Sequence, residues 1–194
     1  MISYDEFLQK DRLNKTELLA WSKQTLVSDA PGTIPSLPTP PMLMFDRITQ
    51  IEHNGRRGRI VAEQDILLDA WFFMSHFGND PVQPGCLGVD AIWQLLGMYC
   101  ALRGAQGSGR ALGCKEVDFF GQIRPYDKVV TYDVEIRRYS RMQGNSLVIG
   151  NGRVLLDGVH IYSISDARVG VFPGIQYADY PNPSENSRGS LIAG

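Results

Sequence analysis

Hydrophobic residues near the N-terminus of this 194-residue chain recur at the spacing of short amphipathic helices. Ser3 with Glu6, and Asn14 with Glu17, each have the spacing of a capping box, in which an N-cap side chain and a glutamate satisfy each other's backbone donors. The apolar residues that follow, among them Trp21, can lie on a larger body. Two N-terminal helices are therefore predicted.

From Met42 onward the pattern changes to the period of two that is typical of half-buried strands. Asn54-Gly55 and Asp157-Gly158 have the composition of tight hairpin turns, and we expect Asn54-Gly55 to supply the left-handed dihedral angles of a type I′ turn. Strands are predicted on both sides of Asn54-Gly55 and over 111–120, 128–139, 146–156 and 159–172. In the second of these four segments the apolar positions alternate strictly with polar ones: Val130, Tyr132, Val134 and Ile136.

Residues 85–102, GCLGVDAIWQLLGMYCAL, have the length of a helix and contain Asp90 as the only charged side chain. A helix that is apolar on all sides must be surrounded, either by lipid or by protein. A charge at the centre of a membrane span costs roughly 2.5–3.5 kcal/mol, so we predict a buried helix and no membrane span. A curved antiparallel sheet rolled around this helix gives an α+β fold.

Length and composition indicate a single domain, because 194 residues with 43% hydrophobic side chains can close one core. The segment 1–41 holds the N-terminal helices and a connector with five prolines between Pro31 and Pro41. The segment 42–172 is the predicted core. The polar tail 173–194 is expected to be loosely held.

Charge and cysteine content narrow the function classes. The formal net charge of -2 gives no basic field for nucleic acid. Three cysteines without a CxxC pair argue against a disulfide framework or a zinc ribbon. The opening residues MISYDEFLQKDRL contain no apolar signal region, so we expect a cytoplasmic location.

The chemical candidates lie around the start of the predicted helix. His76 precedes it in a loop, and the backbone N–H groups beside Gly85 form a helix tip that can stabilise negative charge. Asp90 lies roughly 6–8 Å further along the axis and shares a helix face with Cys86 and Gln94. Gln94 is spaced to hydrogen-bond Asp90, and apolar surroundings favour a protonated carboxyl group. We infer a base, an oxyanion site and a proton donor.

Other roles are also possible for each of these residues. His76 beside aromatic residues could simply be packed, and Asp90 could be held by a structural partner, although an unpaired buried charge is costly. Cys86, near a helix N-terminus and a histidine, could be a nucleophile, but a covalent mechanism leaves Asp90 without a role. The glycine-rich stretch GAQGSG is interpreted as a connecting loop because its order does not match a phosphate-binding fingerprint.

The segment HFGNDPVQPGCLGVDAIWQL resembles the His and Asp motif of the bacterial 3-hydroxydecanoyl acyl-carrier-protein dehydratase/isomerase family, with fourteen residues separating His76 and Asp90. Similarity extends through LPTPPMLMFDRI, WFFMSHF, GRALGCKEVDFFGQIRP and SDARVGVF. The related dehydratase without isomerase activity has glutamate at the position of Asp90. Two departures stand out: Ser75 replaces a common cysteine, and Gln83 replaces the methionine of PVMPG.

The resemblance implies a hot-dog fold and a homodimer whose active sites take the histidine from one chain and the aspartate from the other. It implies that His76 is the base, Asp90 the acid and Gly85 an oxyanion donor, and that the Val82 carbonyl orients His76. Cys86 and Gln94 are our own additions as supporting residues. The implied reaction dehydrates a 3-hydroxydecanoyl thioester to the trans-2-enoyl product and isomerises it to cis-3 in unsaturated fatty-acid biosynthesis. No metal or other cofactor is expected.

The implied partner is the acyl carrier protein, which is acidic. A basic docking patch is predicted from four arginines, which could equally be ordinary exposed residues at strand ends: Arg137, Arg138, Arg141 and Arg168. The walls of an acyl channel, or ordinary core packing, are predicted for four aromatic residues: Trp71, Phe72, Phe73 and Trp93.

Three other functions are compatible with these residues. A hot-dog acyl thioesterase could use Asp90 to activate water. A dehydratase without isomerase activity could act in a specialised lipid or polyketide route. A non-catalytic acyl-binding module would tolerate the loss of His76 and Asp90.

Overall fold

Both predicted capping boxes form at the N-terminus. In the computed structural model, which describes residues 1–175 and 182, helix α1 spans Tyr4–Leu8 and helix α2 spans Lys15–Ser22. Ser3 and Glu6 bond reciprocally at the start of α1, and Asn14 and Glu17 do the same at the start of α2. Each glutamate returns a backbone hydrogen bond that the first turn would otherwise lack.

The chain then forms one antiparallel sheet of seven strands. Its strands are β1 Arg47–Asn54, β2 Arg57–Asp65, β3 Ser108–Gly113, β4 Glu116–Phe119, β5 Val129–Met142, β6 Asn145–Leu156 and β7 Val159–Phe172. They are ordered β1-β2-β5-β6-β7-β3, and β4 also pairs with β7. Within the described residues, β3 and β4 therefore form an edge with no further strand beyond it.

The apolar run forms helix α3, Gly85–Leu102, which packs against strands from β2 to β7. By length and composition α3 could cross a membrane, yet 67% of it is buried inside the fold. The four alternating residues of β5 face the core and are all fully buried: Val130, Tyr132, Val134 and Ile136. The sheet thus encloses the helix in the α+β, hot-dog arrangement that the sequence predicts.

Three local predictions were wrong. The segment 111–120 forms two strands, interrupted at Cys114 and Lys115. The glycine-rich stretch is not entirely a loop, because β3 already begins at Ser108. In the first hairpin Asn54 pairs with Arg57, so the two-residue loop is Gly55-Arg56, and of these two only Gly55 has positive φ. The Asp157-Gly158 turn forms as predicted, with positive φ at both residues.

The proline-rich connector crosses the body without helix or strand, as predicted, and includes a cis peptide bond between Pro40 and Pro41. A short 3₁₀ helix, Trp71–Met74, precedes the loop that carries His76. The predicted loosely held tail lies mostly outside the described residues.

Candidate functional site

His76 lines a cavity of about 320 Å³ at the start of α3, hereafter the histidine cavity. The loop before α3, the tip of α3 and the β4 end of the sheet meet there. The lining consists of His76, Val82, Gln83, Gly85, Cys86, Phe119, Gly121, Gln122, Ile123 and Tyr162. Four residues that the sequence grouped around the helix tip therefore lie together: His76, Val82, Gly85 and Cys86.

Backbone contacts fix the His76 ring. Its Nδ1 lies 3.0 Å from the Val82 carbonyl oxygen, the partner that the resemblance assigns to it. The Val82 N–H donates to the His76 carbonyl at 2.8 Å, so the loop closes on itself. Because a carbonyl only accepts, Nδ1 carries the proton and the Nε2 lone pair is available as a base. The imidazole also stacks on Phe77, with ring centroids 3.9 Å apart.

The tip of α3 is left without a side-chain cap. Pro84 occupies the N-cap position and makes no side-chain hydrogen bond. A Cβ atom at Gly85 would lie 2.6 Å from the Phe119 ring, so glycine is what allows β4 to pack against the tip. The first N–H groups of the helix are donors that can stabilise an anion in this cavity.

Asp90 lies in a different hollow, of about 160 Å³, hereafter the aspartate cavity. The Gln94 Nε2 donates to Asp90 Oδ2 at 2.6 Å and to the Met42 carbonyl at 2.8 Å. The Gln94 Oε1 accepts from the Met44 N–H at 3.3 Å. The backbone just after the connector therefore fixes the Gln94 amide, and the amide fixes Asp90. Trp93 lines the same cavity, whereas Phe72 and Phe73 are packed in the core.

Within one chain, the two cavities have no lining residue in common. The three polar residues predicted to share one face of α3 are accordingly divided between the cavities. Cys86 lines the histidine cavity, and Asp90 and Gln94 line the aspartate cavity. Both cavities nevertheless border the same edge of the sheet. Phe119 of β4 lines the first, and Gly109–Ala111 of β3 line the second.

Three of the four predicted docking arginines line one hollow of about 670 Å³ on the sheet, hereafter the basic hollow. Arg137 is paired there with Asp166, while Arg141 lies near the β5 to β6 turn, outside this lining. Two basic residues that the sequence analysis missed, Arg57 and Lys115, complete the hollow. They come from distant segments, so no sequence spacing could have grouped them with the arginines.

The remaining ionisable groups offer few alternatives. Burial raises the pKa of the Cys100 thiol to about 12, which makes it a poor nucleophile. Burial also raises the pKa of Tyr162, in the histidine cavity. Among residues 1–175 and 182, no group of three or more His, Cys, Asp or Glu side chains is arranged to hold a metal ion.

Several solved structures resemble this chain at low sequence identity. The chain is similar to the ApeI:P dehydratase heterocomplex of Xenorhabdus doucetiae, with 12% identity over 69% of this chain and 85% of that chain, and a TM-score of 0.48. It is also similar to the PaaI protein of E. coli, from the phenylacetic acid degradation operon, with 11% identity over 63% of this chain and 82% of that chain, and a TM-score of 0.44. A hypothetical thioesterase with coenzyme A from Streptococcus pneumoniae has 12% identity over 64% of this chain and 85% of that chain, and a TM-score of 0.46.

A profile of the FabA-like domain matches residues 37–165, which is more than half of the chain and includes both cavities' central residues, His76 and Asp90. The chain therefore belongs to the FabA-like domain family.

Proposed function

We propose that the protein dehydrates (3R)-3-hydroxydecanoyl acyl-carrier-protein to the trans-2-enoyl thioester and isomerises that product to the cis-3-enoyl thioester, in the cytoplasm. The observation that carries the proposal is the histidine cavity itself, where His76 and an uncapped helix tip face one space. A base beside an oxyanion site is the arrangement that proton removal next to a thioester carbonyl requires.

In the dehydration, His76 Nε2 removes a proton from C2 of the substrate. The negative charge that develops on the thioester oxygen is stabilised by the N–H groups at the tip of α3. Asp90, in its protonated form, gives its proton to the C3 hydroxyl group, which leaves as water. Because Gln94 donates to Asp90 Oδ2, the proton is held on Oδ1.

The isomerisation uses the same groups in a second cycle. His76 removes a proton from C4 of the trans-2-enoyl thioester, and the charge is again delocalised onto the thioester oxygen. Return of a proton to C2 leaves the double bond between C3 and C4. A positioned base contributes roughly 10²–10⁴-fold to such steps, and one oxyanion donor contributes about 10²–10³-fold.

A second copy of the chain is needed to bring the base and the acid together. Hot-dog proteins typically form dimers, and β3 presents an edge with three exposed residues, Gly109, Ala111 and Leu112. Twofold pairing along this edge would place each copy's β3 and aspartate cavity beside the other copy's β4 and histidine cavity. The active site would then take His76 from one chain and Asp90 from its partner.

The proposal is tested with the full chain and a 3-hydroxydecanoyl thioester. We expect absorbance from a new double bond conjugated with the thioester, and chromatography should then resolve trans-2 and cis-3 products. Dehydration without the cis-3 product would remove the isomerase assignment. Release of free thiol from saturated decanoyl thioester, without any enoyl product, would show a thioesterase instead.

A further inference from the structure

Two buried polar side chains in the histidine cavity are not used by the proposed mechanism. Gln83 is 6% exposed and Tyr162 is 2% exposed, and both line the cavity together with His76. Among residues 1–175 and 182, no hydrogen-bond partner is present for Gln83 Nε2, Gln83 Oε1 or the Tyr162 hydroxyl. Leaving a buried donor or acceptor unpaired is energetically costly.

The neighbouring polar groups relieve only part of this cost. Burial raises the pKa of Tyr132, and the nearby Gln83 amide acts against that rise. The Tyr132 hydroxyl donates to Gln64 at 2.8 Å, so it can only accept from Gln83 Nε2 and leaves Gln83 Oε1 without a donor. The Tyr162 hydroxyl lies against the backbone of Gly88 in α3. Gln83 is held in place by its own N–H, which donates to the Ile123 carbonyl at 3.0 Å.

The position of Gln83 also makes an amide chemically unexpected there. The resembling motif has methionine at this position, and a methionine would give this part of the cavity an apolar surface of similar size. The rest of the lining includes the apolar side chains of Phe119 and Ile123. A purely hydrocarbon acyl chain could contact those two residues, but it would leave the Gln83 amide and the Tyr162 hydroxyl unpaired.

The unpaired atoms define the chemistry of a group that would satisfy them. The Gln83 amide has two N–H donors and one carbonyl acceptor, and Tyr162 offers a hydroxyl. A carbonyl oxygen only accepts, so it would leave Gln83 Oε1 without a partner, whereas a hydroxyl group both donates and accepts. The hydroxyl that leaves C3 is assigned to Asp90, so the group in question is a second one.

We infer that the histidine cavity selects an acyl chain that carries a second hydroxyl group beyond C3, and that Gln83, with Tyr162, determines this specificity. This inference rests on the proposed dehydratase function and names its substrate class more closely. In the complex, the Gln83 amide exchanges hydrogen bonds with this hydroxyl.

The test compares kcat/KM for the N-acetylcysteamine thioester of 3-hydroxydecanoate with a series that has one added hydroxyl, on each carbon from the fifth to the ninth. We expect wild-type protein to prefer one member of the series over the parent by about tenfold or more. Gln83→Met and Tyr162→Phe should each abolish that preference, and Gln83→Met should raise activity on the parent. Gln122→Met, which changes an exposed amide of the same cavity, should leave the ratio unchanged.

Two results would overturn the inference. One is a higher kcat/KM for the 3-hydroxydecanoyl thioester than for every hydroxylated member of the series. The other is a ratio of these kcat/KM values that Gln83→Met and Tyr162→Phe leave unchanged in folded protein. Either would mean that the buried groups bind only water. Equilibrium binding distinguishes failure of this inference from failure of the proposed dehydratase function. Saturated decanoyl thioesters with the same added hydroxyls but no C3 hydroxyl cannot be dehydrated, and their dissociation constants should show the same ratio and the same loss in Gln83→Met.

Discussion

His76 and Asp90 owe their orientation to uncharged neighbours. The Val82 carbonyl holds the histidine and the Gln94 amide holds the aspartate. Neither neighbour carries a titratable group, so neither orientation depends on the charge of a neighbouring side chain. Gln94 is in turn held by the backbone at Met42 and Met44, which makes the segment after the N-terminal connector part of the site.

Replacing Gln94 tests that arrangement. Gln94→Met removes the hydrogen bond to Asp90 and frees the carboxyl group to rotate, so kcat should fall about ten- to a hundredfold while KM changes little. An unchanged kcat, or a loss that appears in KM alone, would contradict a positioning role for Gln94.

Local spacing predicted the pairing of Gln94 with Asp90, which lie one helical turn apart. The pairing of Val82 with His76 was implied by the family resemblance. The division of the site into two cavities could not be predicted in this way. It depends on where β3 and β4 run beside α3, and the sequence indicated a single strand for that segment.

Helix α3 contacts β7 so closely that glycine is required at one position. A Cβ atom at Gly88 would lie 1.3 Å from the Tyr162 hydroxyl oxygen, whereas at Gly97 the nearest atom would be Val169 Cγ1, at 4.0 Å. Both glycines lie inside the same helix, so the intrinsic preference for alanine is equal at the two sites.

These two glycines therefore form a matched pair of variants. Gly88→Ala should lower the free energy of unfolding by about 1–3 kcal/mol, because it overpacks the interface with Tyr162. Gly97→Ala should raise it by up to about 1 kcal/mol through helix propensity. Chemical denaturation of both variants provides the measurement, and equal effects would contradict the described contact.

The turns show what determines hairpin geometry here. Asp157-Gly158 adopts the predicted turn because both residues have positive φ. At Asn54-Gly55 the same type of dipeptide is shifted by one residue, since Asn54 remains in β1 opposite Arg57. Strand pairing with β2 fixes the register there, and pairing is a nonlocal property that dipeptide composition does not contain.

Across the molecule, three strands are tied by one buried carboxylate. Asp133 of β5 accepts from Arg59 of β2 at 2.7 Å and from Arg153 of β6 at 2.6 Å. Burial alone would raise the pKa of Asp133, but the hydrogen bonds from the two arginines outweigh it and the pKa is lowered. The folded state therefore favours the ionised carboxylate.

The stabilisation by Asp133 should consequently depend on pH. A lowered folded pKa gives stability that is complete above the unfolded value of about 3.9 and is lost as the pH falls below it. Asp133→Asn should cost about 1–3 kcal/mol at neutral pH and clearly less in urea unfolding near pH 3. The same cost at both pH values would contradict the ion-pair account.

The basic hollow is the proposed docking surface for the carrier protein. Arg138 and Arg168 line it, and five basic side chains there exceed two acidic ones. The double charge reversal Arg138→Glu with Arg168→Glu should lower kcat/KM for the carrier-linked substrate about tenfold or more at low salt. It should leave kcat/KM for the N-acetylcysteamine thioester unchanged. Arg141→Glu, outside the hollow, is the control. Equal losses with both substrates would exclude a docking role.

Subunit mixing tests whether one active site takes His76 and Asp90 from two chains. His76→Ala and Asp90→Asn should each lower dehydration of the 3-hydroxydecanoyl thioester by about 10²–10⁴-fold. When the two variants are unfolded and refolded together, half of the dimers are mixed, and each mixed dimer has one intact site. The account predicts recovery of about a quarter of wild-type activity. Two inactive variants that recover no activity in verified mixed dimers would contradict it.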